Sequence, residues 1–79
     1  MSRLDLIKQR QIHLKSIEIF NLYRDLPINS VTINEMFRKL SSKGYLTCNK
    51  NRYKPIIIDA GIFAGWEYRK FGNYGIFFR

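Results

Sequence analysis

The residues with chemically reactive side chains are few, and their spacing is wrong for a catalytic site. The six carboxylates are scattered along the sequence, at Asp5, Glu18, Asp25, Glu35, Asp59 and Glu67. Catalysis by paired carboxylates needs two of them on one face of one element, and no pair here has that spacing. We therefore expect no acid–base site built from carboxylates.

The single cysteine and the single histidine do not supply a catalytic pair either. Cys48 is close to Lys50 and Arg52, whose charges favour the thiolate. A cysteine nucleophile also needs a positioned base, and His13 lies in a distant helical segment. One cysteine cannot form an internal disulfide, and these two residues are too few for a zinc site. The sequence predicts a protein that is not an enzyme, holds no metal and needs no cofactor.

Net charge is the main chemical feature of the chain. Its 79 residues include 14 Lys or Arg against 6 Asp or Glu, which gives +8. Residues 1–40 have seven bases and four acids, whereas residues 41–79 have seven bases, two acids and nine of the twelve aromatics. Such an excess predicts a polyanionic partner, meaning nucleic acid, anionic lipid or an acidic protein surface. Bases interleaved with aromatics also fit single-strand stacking, although aromatics are ordinary strand residues.

Length and hydropathy limit how these residues can be positioned. A chain of 79 residues buries one modest core, so we expect a single domain over residues 1–79. The 46% hydrophobic content is well above that of disordered chains. The sequence contains no run of about 18 apolar residues, so it predicts no membrane span. Asp5, Lys8 and Arg10 lie where a signal peptide would have its apolar region. We expect a cytoplasmic protein that does not enter membranes.

The first element is predicted to be a long helix with two apolar faces. Residues 3–26 contain no Gly or Pro, and Pro27 ends the helix. One face carries Ile12, Ile19, Phe20, Tyr23 and Leu26. The other carries Leu4 and the three residues at which we expect a second packing surface, Ile7, Leu14 and Ile17. A second copy of the chain could cover this surface as a homodimer. The alternative is a kink or a helix start near residue 12, with both halves packed into the same core.

A second helix is predicted from a capping box. In the sequence Thr32-Ile33-Asn34-Glu35, the Thr hydroxyl accepts a hydrogen bond from the backbone N–H of Glu35. The apolar stripe is Ile33, Met36, Phe37 and Leu40, and Gly44 ends the helix. The opposite face is polar and basic, with Asn34, Arg38, Ser41 and Ser42 flanked by Lys39 and Lys43. This face fits a DNA major groove, and it equally fits a solvated helix surface.

After Gly44 the pattern favours strands. We expect a hairpin with strands at residues 45–48 and 52–58, joined by a polar turn and with Pro55 at a sheet edge. Lys50, Arg52 and Lys54 would decorate this hairpin. A third strand or extended arm is expected within residues 62–71, followed by a turn and a return strand at residues 76–79.

Together these elements predict an α+β fold. It is a small winged-helix-like domain with a long N-terminal helix, a capped second helix and C-terminal antiparallel β-hairpins. A full winged helix has three helices, and the sequence pattern predicts two.

Several short motifs in the second half of the chain occur in a known order. They are Phe37 and Leu40, Gly44-Tyr45-Leu46, Arg52-Tyr53-Lys54-Pro55, Gly61-Ile62-Phe63 and Glu67. From about residue 31 to residue 79 the chain therefore resembles the C-terminal, KilAC-type domain of phage antirepressor proteins. The resemblance implies a phage or prophage source and a small α+β regulatory domain associated with DNA or with a repressor.

The first functional hypothesis is a nucleic-acid-binding regulator of transcription. Phosphates would be contacted by Arg38, Lys39, Lys43, Lys50, Arg52 and Lys54. Asn34 and Ser41 would reach base edges. Its target sequence, the choice between DNA and RNA, and the sign of regulation stay open.

The second hypothesis is a phage-encoded inhibitor or adaptor. It would bind a host, defence-system or repressor protein through the basic aromatic surface. Its anchors would be Trp66, Tyr68 and Phe71, because aromatic residues dominate binding energy at protein interfaces. A homodimer through the first helix is compatible with both hypotheses.

Overall fold

The computed structural model describes residues 3–46, 50–72 and 74–79, which contain three helices and three short strands. In chain order the elements are α1 (Arg3–Asp25), β1 (Ser30–Thr32), α2 (Ile33–Ser42), α3 (Lys50–Phe63), β2 (Glu67–Phe71) and β3 (Tyr74–Phe78). The strands form an antiparallel sheet in the order β1-β3-β2. This arrangement confirms the predicted α+β, winged-helix-like fold class with a long N-terminal helix.

Helix α1 is as long as the sequence predicts, and its two faces differ in environment. Ile12, Ile19 and Phe20 are buried, whereas Ile7 is 57% and Leu14 is 61% exposed. The alternative in which a kink folds both halves into one core is therefore wrong. Ile17, the third residue of the predicted second surface, is half-buried against the core. No described helix is both long and apolar enough to cross a membrane.

Helix α2 begins, packs and ends as its local sequence predicts. The backbone N–H of Glu35 donates to Thr32 Oγ1 at 3.1 Å, which is the N-terminal cap. The predicted apolar stripe, Ile33, Met36, Phe37 and Leu40, is buried. Gly44 has a φ of +80° and lets the chain leave the helix in the left-handed conformation.

The predicted hairpin over residues 45–58 is wrong, because most of that segment is the helix α3. Buried residues of α3 and the turn after it recur at helical spacing, at Tyr53, Ile57, Ala60 and Ala64. Pro55 lies inside the helix, where the missing N–H and the ring normally disfavour helical structure. Burial of the apolar stripe outweighs that cost. Residues 47–49, the predicted strand end with Cys48 and the start of the predicted turn, lie outside the described residues.

The last hairpin is present with shifted boundaries. Residues 62 and 63 end α3, so the predicted third strand is shortened to β2. Strand β3 begins at Tyr74, two residues before the expected return strand. The connection before α2 contains the short strand β1, which pairs with β3 in the register Val31 to Phe77.

The helices and the sheet meet around an aromatic cluster. The ring centroids of Phe20 and Phe77 are 4.7 Å apart, and those of Phe20 and Trp66 are 5.6 Å apart. The cluster joins α1, β3 and the residue before β2, and tilted or edge-on ring contacts of this kind add to simple area burial. One continuous core therefore fixes the positions of the surface residues discussed below.

Candidate nucleic-acid interface

The outward face of α2 carries five of the predicted site residues. Asn34, Arg38, Ser41 and Lys43 are exposed, and Lys39 is half-buried. They lie outward because the four stripe residues of the same helix are fixed in the core. The structure therefore places this group on the surface as predicted.

Arg38 and Lys39 line a shallow hollow of about 300 Å³ together with Tyr23, Glu35 and Ser42. Burial, and the nearby charge of Glu35, raise the pKa of Tyr23, so its phenol stays protonated at neutral pH. Two cations and a hydroxyl donor against one carboxylate leave the hollow with a positive balance. Such a group of donors suits a phosphate oxygen better than a neutral ligand.

The predicted basic residues of the supposed hairpin lie instead at the start of α3. Arg52 is exposed and Lys54 is half-buried, while the side chain of Lys50 lies outside what the structure describes. The first turn of α3 contains no acidic residue. Cations at the positive end of a helix dipole are unfavourable for the helix itself. The exposed Arg52 therefore adds its charge to the positive end of the α3 dipole.

The sequence analysis did not assign Arg69 and Lys70 to the site, and the structure shows both as exposed residues of β2. Arg69 lies opposite Ile76 in the sheet and its guanidinium is 5.5 Å from the centroid of the Phe78 ring. Lys70 lies opposite Gly75, one pair from the turn. The signal was present in the sequence as two adjacent bases before Gly72. The β2–β3 hairpin thus carries a basic edge of its own.

Of the three predicted protein-binding anchors, one is buried, one is half-buried and one is exposed. Trp66 is 2% exposed, and it packs on Phe20 in the core. Its proposed role as an anchor is a misassignment, because a partner cannot reach the ring. Tyr68 is half-buried against Phe77, with ring centroids 4.9 Å apart. Phe71 is 49% exposed and remains available.

Two adjacent apolar residues at the end of α3 are exposed. Ile62 is 57% and Phe63 is 74% exposed, and neither was predicted as a site residue. Next to them, His13 Nε2 is 2.9 Å from Asp59 Oδ2, which joins α1 to α3. The His13 ring also meets the edge of Phe63, with centroids 6.0 Å apart. His13 is therefore a packing residue between the helices.

Within the part of the chain that the structure describes, no group of three or more His, Cys, Asp or Glu side chains is arranged to hold a metal ion. No protein-family model, curated protein or solved structure matches the chain. Function must therefore be argued from the residues and their positions, which are those of a basic surface on a winged-helix-like fold.

Proposed function

We propose that this protein is a regulator that binds duplex DNA through α2, the start of α3 and the β2–β3 hairpin. The observation that carries the proposal is the presence of outward-facing bases on all three elements. They are Arg38, Lys39, Lys43, Arg52, Lys54, Arg69 and Lys70. A regulatory role in a phage or prophage, as the KilAC resemblance implies, belongs to the same proposal.

The order of the helices gives each basic group a role. In a helix-turn-helix pair the second helix enters the major groove with its N-terminal residues at the bases, and the first helix crosses the backbone. Here α3 is the second helix, so the exposed Arg52 near its start faces the groove. Helix α2 lies against the backbone, and Asn34 and Ser41 then bond to phosphate or sugar oxygens instead of base edges.

The hairpin adds a third contact. Arg69 and Lys70 lie on β2, and α3 packs directly against that strand. On this proposal the two residues contact phosphates outside the groove that α3 occupies. Because phosphate contacts carry no sequence information, these two residues contribute affinity rather than specificity.

Salt dependence tests this proposal. Each phosphate contact contributes about −0.9 to the slope of log affinity against log salt, so six contacts give about −5. Fluorescence anisotropy with a labelled duplex measures the slope for the wild type and for Lys39→Ala and Lys70→Ala. Each substitution reduces the slope by about one. Lys8→Ala, on α1, removes the same charge and leaves the slope unchanged. Absence of binding to duplex at about 50 mM salt contradicts the proposal, because non-specific binding is strong at low salt.

A second candidate function has its own observation. The outward face of α3 beyond Arg52 carries Pro55, Asp59 and Ile62, which are poor groups for reading bases. Phe63, at the end of the helix, is 74% exposed. We infer as the alternative that Ile62, Phe63 and Phe71 bind a host, defence-system or repressor protein. Capture of one protein by the nuclease-treated wild type, lost in Phe63→Ala, together with no affinity for duplex, favours this alternative over DNA binding.

A further inference from the structure

The strands of the sheet have one face toward the core and one face turned away from it. Directly opposed residues of antiparallel strands share a face, so Tyr68 and Phe77 lie on the core side with the buried Val31. Side chains alternate between the two faces along a strand. The outward sheet face of β2 and β3 therefore carries Glu67, Arg69, Phe71, Ile76 and Phe78. Each of these five residues is exposed or half-buried.

Strand β3 is apolar on both of its faces. Where one face of an antiparallel sheet packs on the core and the other meets water, apolar and polar residues normally alternate along each strand. In β3 the outward residues Ile76 and Phe78 are apolar, like the inward Phe77. On β2, Phe71 adds a second outward ring and is 49% exposed. Large apolar groups gathered on an accessible face mark an interaction surface, so these rings point to a ligand.

Arg69 links the two rings of the outward sheet face. It precedes Phe71 by two residues on β2, and its guanidinium is 5.5 Å from the centroid of the Phe78 ring. Phe78 is four residues beyond the partner of Phe71 on the neighbouring strand, which separates the Cα atoms of the two phenylalanines by about 14 Å. At that separation the rings do not stack on each other, so each can stack with a different flat group of a ligand.

We propose that the outward sheet face binds single-stranded nucleic acid. One base stacks on Phe71 and a second on the Arg69–Phe78 pair, where the guanidinium also meets a backbone phosphate. Unpaired bases stack on aromatic rings and on Arg guanidinium planes, and every base has a π-face for this contact. The net charge of +8 favours a polyanionic strand over an apolar peptide.

Glu67 is the carboxylate of the outward sheet face, and it lies opposite Phe78. A carboxylate there repels phosphate but accepts a hydrogen bond from the exocyclic amino group of a base such as cytosine. The base, rather than the backbone, therefore lies at the Phe78 end of the face. This single-strand site goes beyond the duplex binding proposed above and does not depend on it, although both use Arg69.

Replacement of each ring by leucine tests the stacking, because leucine keeps the apolar bulk and removes the π-face. Fluorescence anisotropy at about 50 mM salt measures affinity for oligothymidine and oligouridine of about 12 nucleotides, which form no duplex. Phe71→Leu and Phe78→Leu each weaken binding about fivefold, the low end of what stacking contributes per base. Phe63→Leu, at the exposed end of α3, is the matched control and binds as the wild type does. All three variants keep the wild-type affinity for duplex.

Ultraviolet cross-linking supplies a second test that needs no variant. An oligonucleotide with 5-iodouracil in place of thymine couples to an aromatic ring on which the base stacks, and the cross-linked peptide contains Phe71 or Phe78. Cross-links confined to α2 or α3 overturn the proposal, as do sheet-face variants that bind both oligonucleotides as tightly as the wild type. A wild type that binds duplex and neither single strand overturns this inference and leaves the duplex proposal standing. A wild type that binds no single strand but sediments as a dimer, lost in Phe71→Leu, identifies the face as a protein interface and also overturns it.

Discussion

Gly61 of α3 lies against the ring of Phe77 of β3 with no space for a side chain between them. A Cβ atom at residue 61 would lie 2.6 Å from Phe77 Cε1 and 3.0 Å from Phe20 Cζ. Both rings are fully buried, so neither can move aside without disturbing the core. This close approach lets α3 pack directly on the central strand of the sheet, and it makes residue 61 a position at which glycine is required by packing.

We expect Gly61→Ala to destabilise the protein. In an exposed helix the change would stabilise by about 1 kcal/mol, but overpacking a core costs about 1–3 kcal/mol. We therefore expect the free energy of unfolding to fall by about 1 kcal/mol. The measurement is a lower urea midpoint at an unchanged m-value. Gln11→Ala, on the exposed side of α1, serves as the control and stays within about 0.5 kcal/mol. A Gly61→Ala protein as stable as the wild type would contradict this packing.

We expect Ser16→Ala to have the opposite effect. Ser16 is fully buried on α1, and its hydroxyl has no hydrogen-bond partner among the described residues. Burying an unpaired hydroxyl costs about 1–3 kcal/mol, and alanine is also the better helix former. The melting temperature of Ser16→Ala should rise by about 4–8 °C, which corresponds to about 1 kcal/mol in a domain of this size.

The matched control for Ser16 is Ser42→Ala on α2. Ser42 is exposed and its Oγ donates to the Lys39 carbonyl at 2.9 Å. That substitution removes a surface hydrogen bond, so it leaves the melting temperature unchanged or slightly lower. A lower melting temperature for Ser16→Ala would show that its hydroxyl is satisfied.

What the sequence could predict depends on how local the determining contacts are. Helix α2 was predicted with its cap, its buried stripe and its end, because Thr32, Glu35 and Gly44 act within a few residues. Helix α3 was misread as strands because Pro55 argues against a helix interior, while the β-branched residues beside it favour strands. The spacing of Tyr53, Ile57 and Ala60 is helical, but burial decides between the two patterns only in the folded chain.

The candidate site also contains residues whose exposure the local sequence predicts and residues whose exposure depends on distant contacts. The bases of α2 face outward because the opposite stripe is apolar, which the sequence shows directly. The exposure of Arg69 and Lys70 follows from the pairing of β2 with β3. The burial of Trp66 follows from its packing against Phe20. Both depend on contacts between residues far apart in sequence. Strand β1 was missed for that reason too, since its partner β3 is more than forty residues away.

Arg79 and Lys70 are expected to differ in role: Arg79 stabilises the fold, whereas Lys70 contributes to DNA binding. Arg79 Nη1 donates to the Arg24 carbonyl at 2.9 Å, and its guanidinium is 5.8 Å from the Trp66 ring centroid. Arg79→Ala therefore lowers the free energy of unfolding by about 1 kcal/mol and leaves the salt slope of DNA binding unchanged. Lys70→Ala leaves the free energy of unfolding unchanged and flattens the salt slope, since Lys70 is exposed on β2. If Arg79→Ala flattened the salt slope as much as Lys70→Ala, the assignment of Arg79 to structure would be wrong.

Pro55 provides the sharpest test of the helical assignment of α3. A proline inside a helix lacks the N–H of one backbone hydrogen bond, and its ring crowds the preceding turn, at a cost of about 3 kcal/mol against alanine. Pro55 is exposed, so its replacement sacrifices little packing. Pro55→Ala should raise the free energy of unfolding by about 1–3 kcal/mol in urea denaturation, with a gain in helical circular dichroism. Pro27→Ala, in the turn after α1, changes stability by less than about 1 kcal/mol. If residues 52–58 were the edge strand that their sequence predicts, Pro55→Ala would give no gain in helical signal.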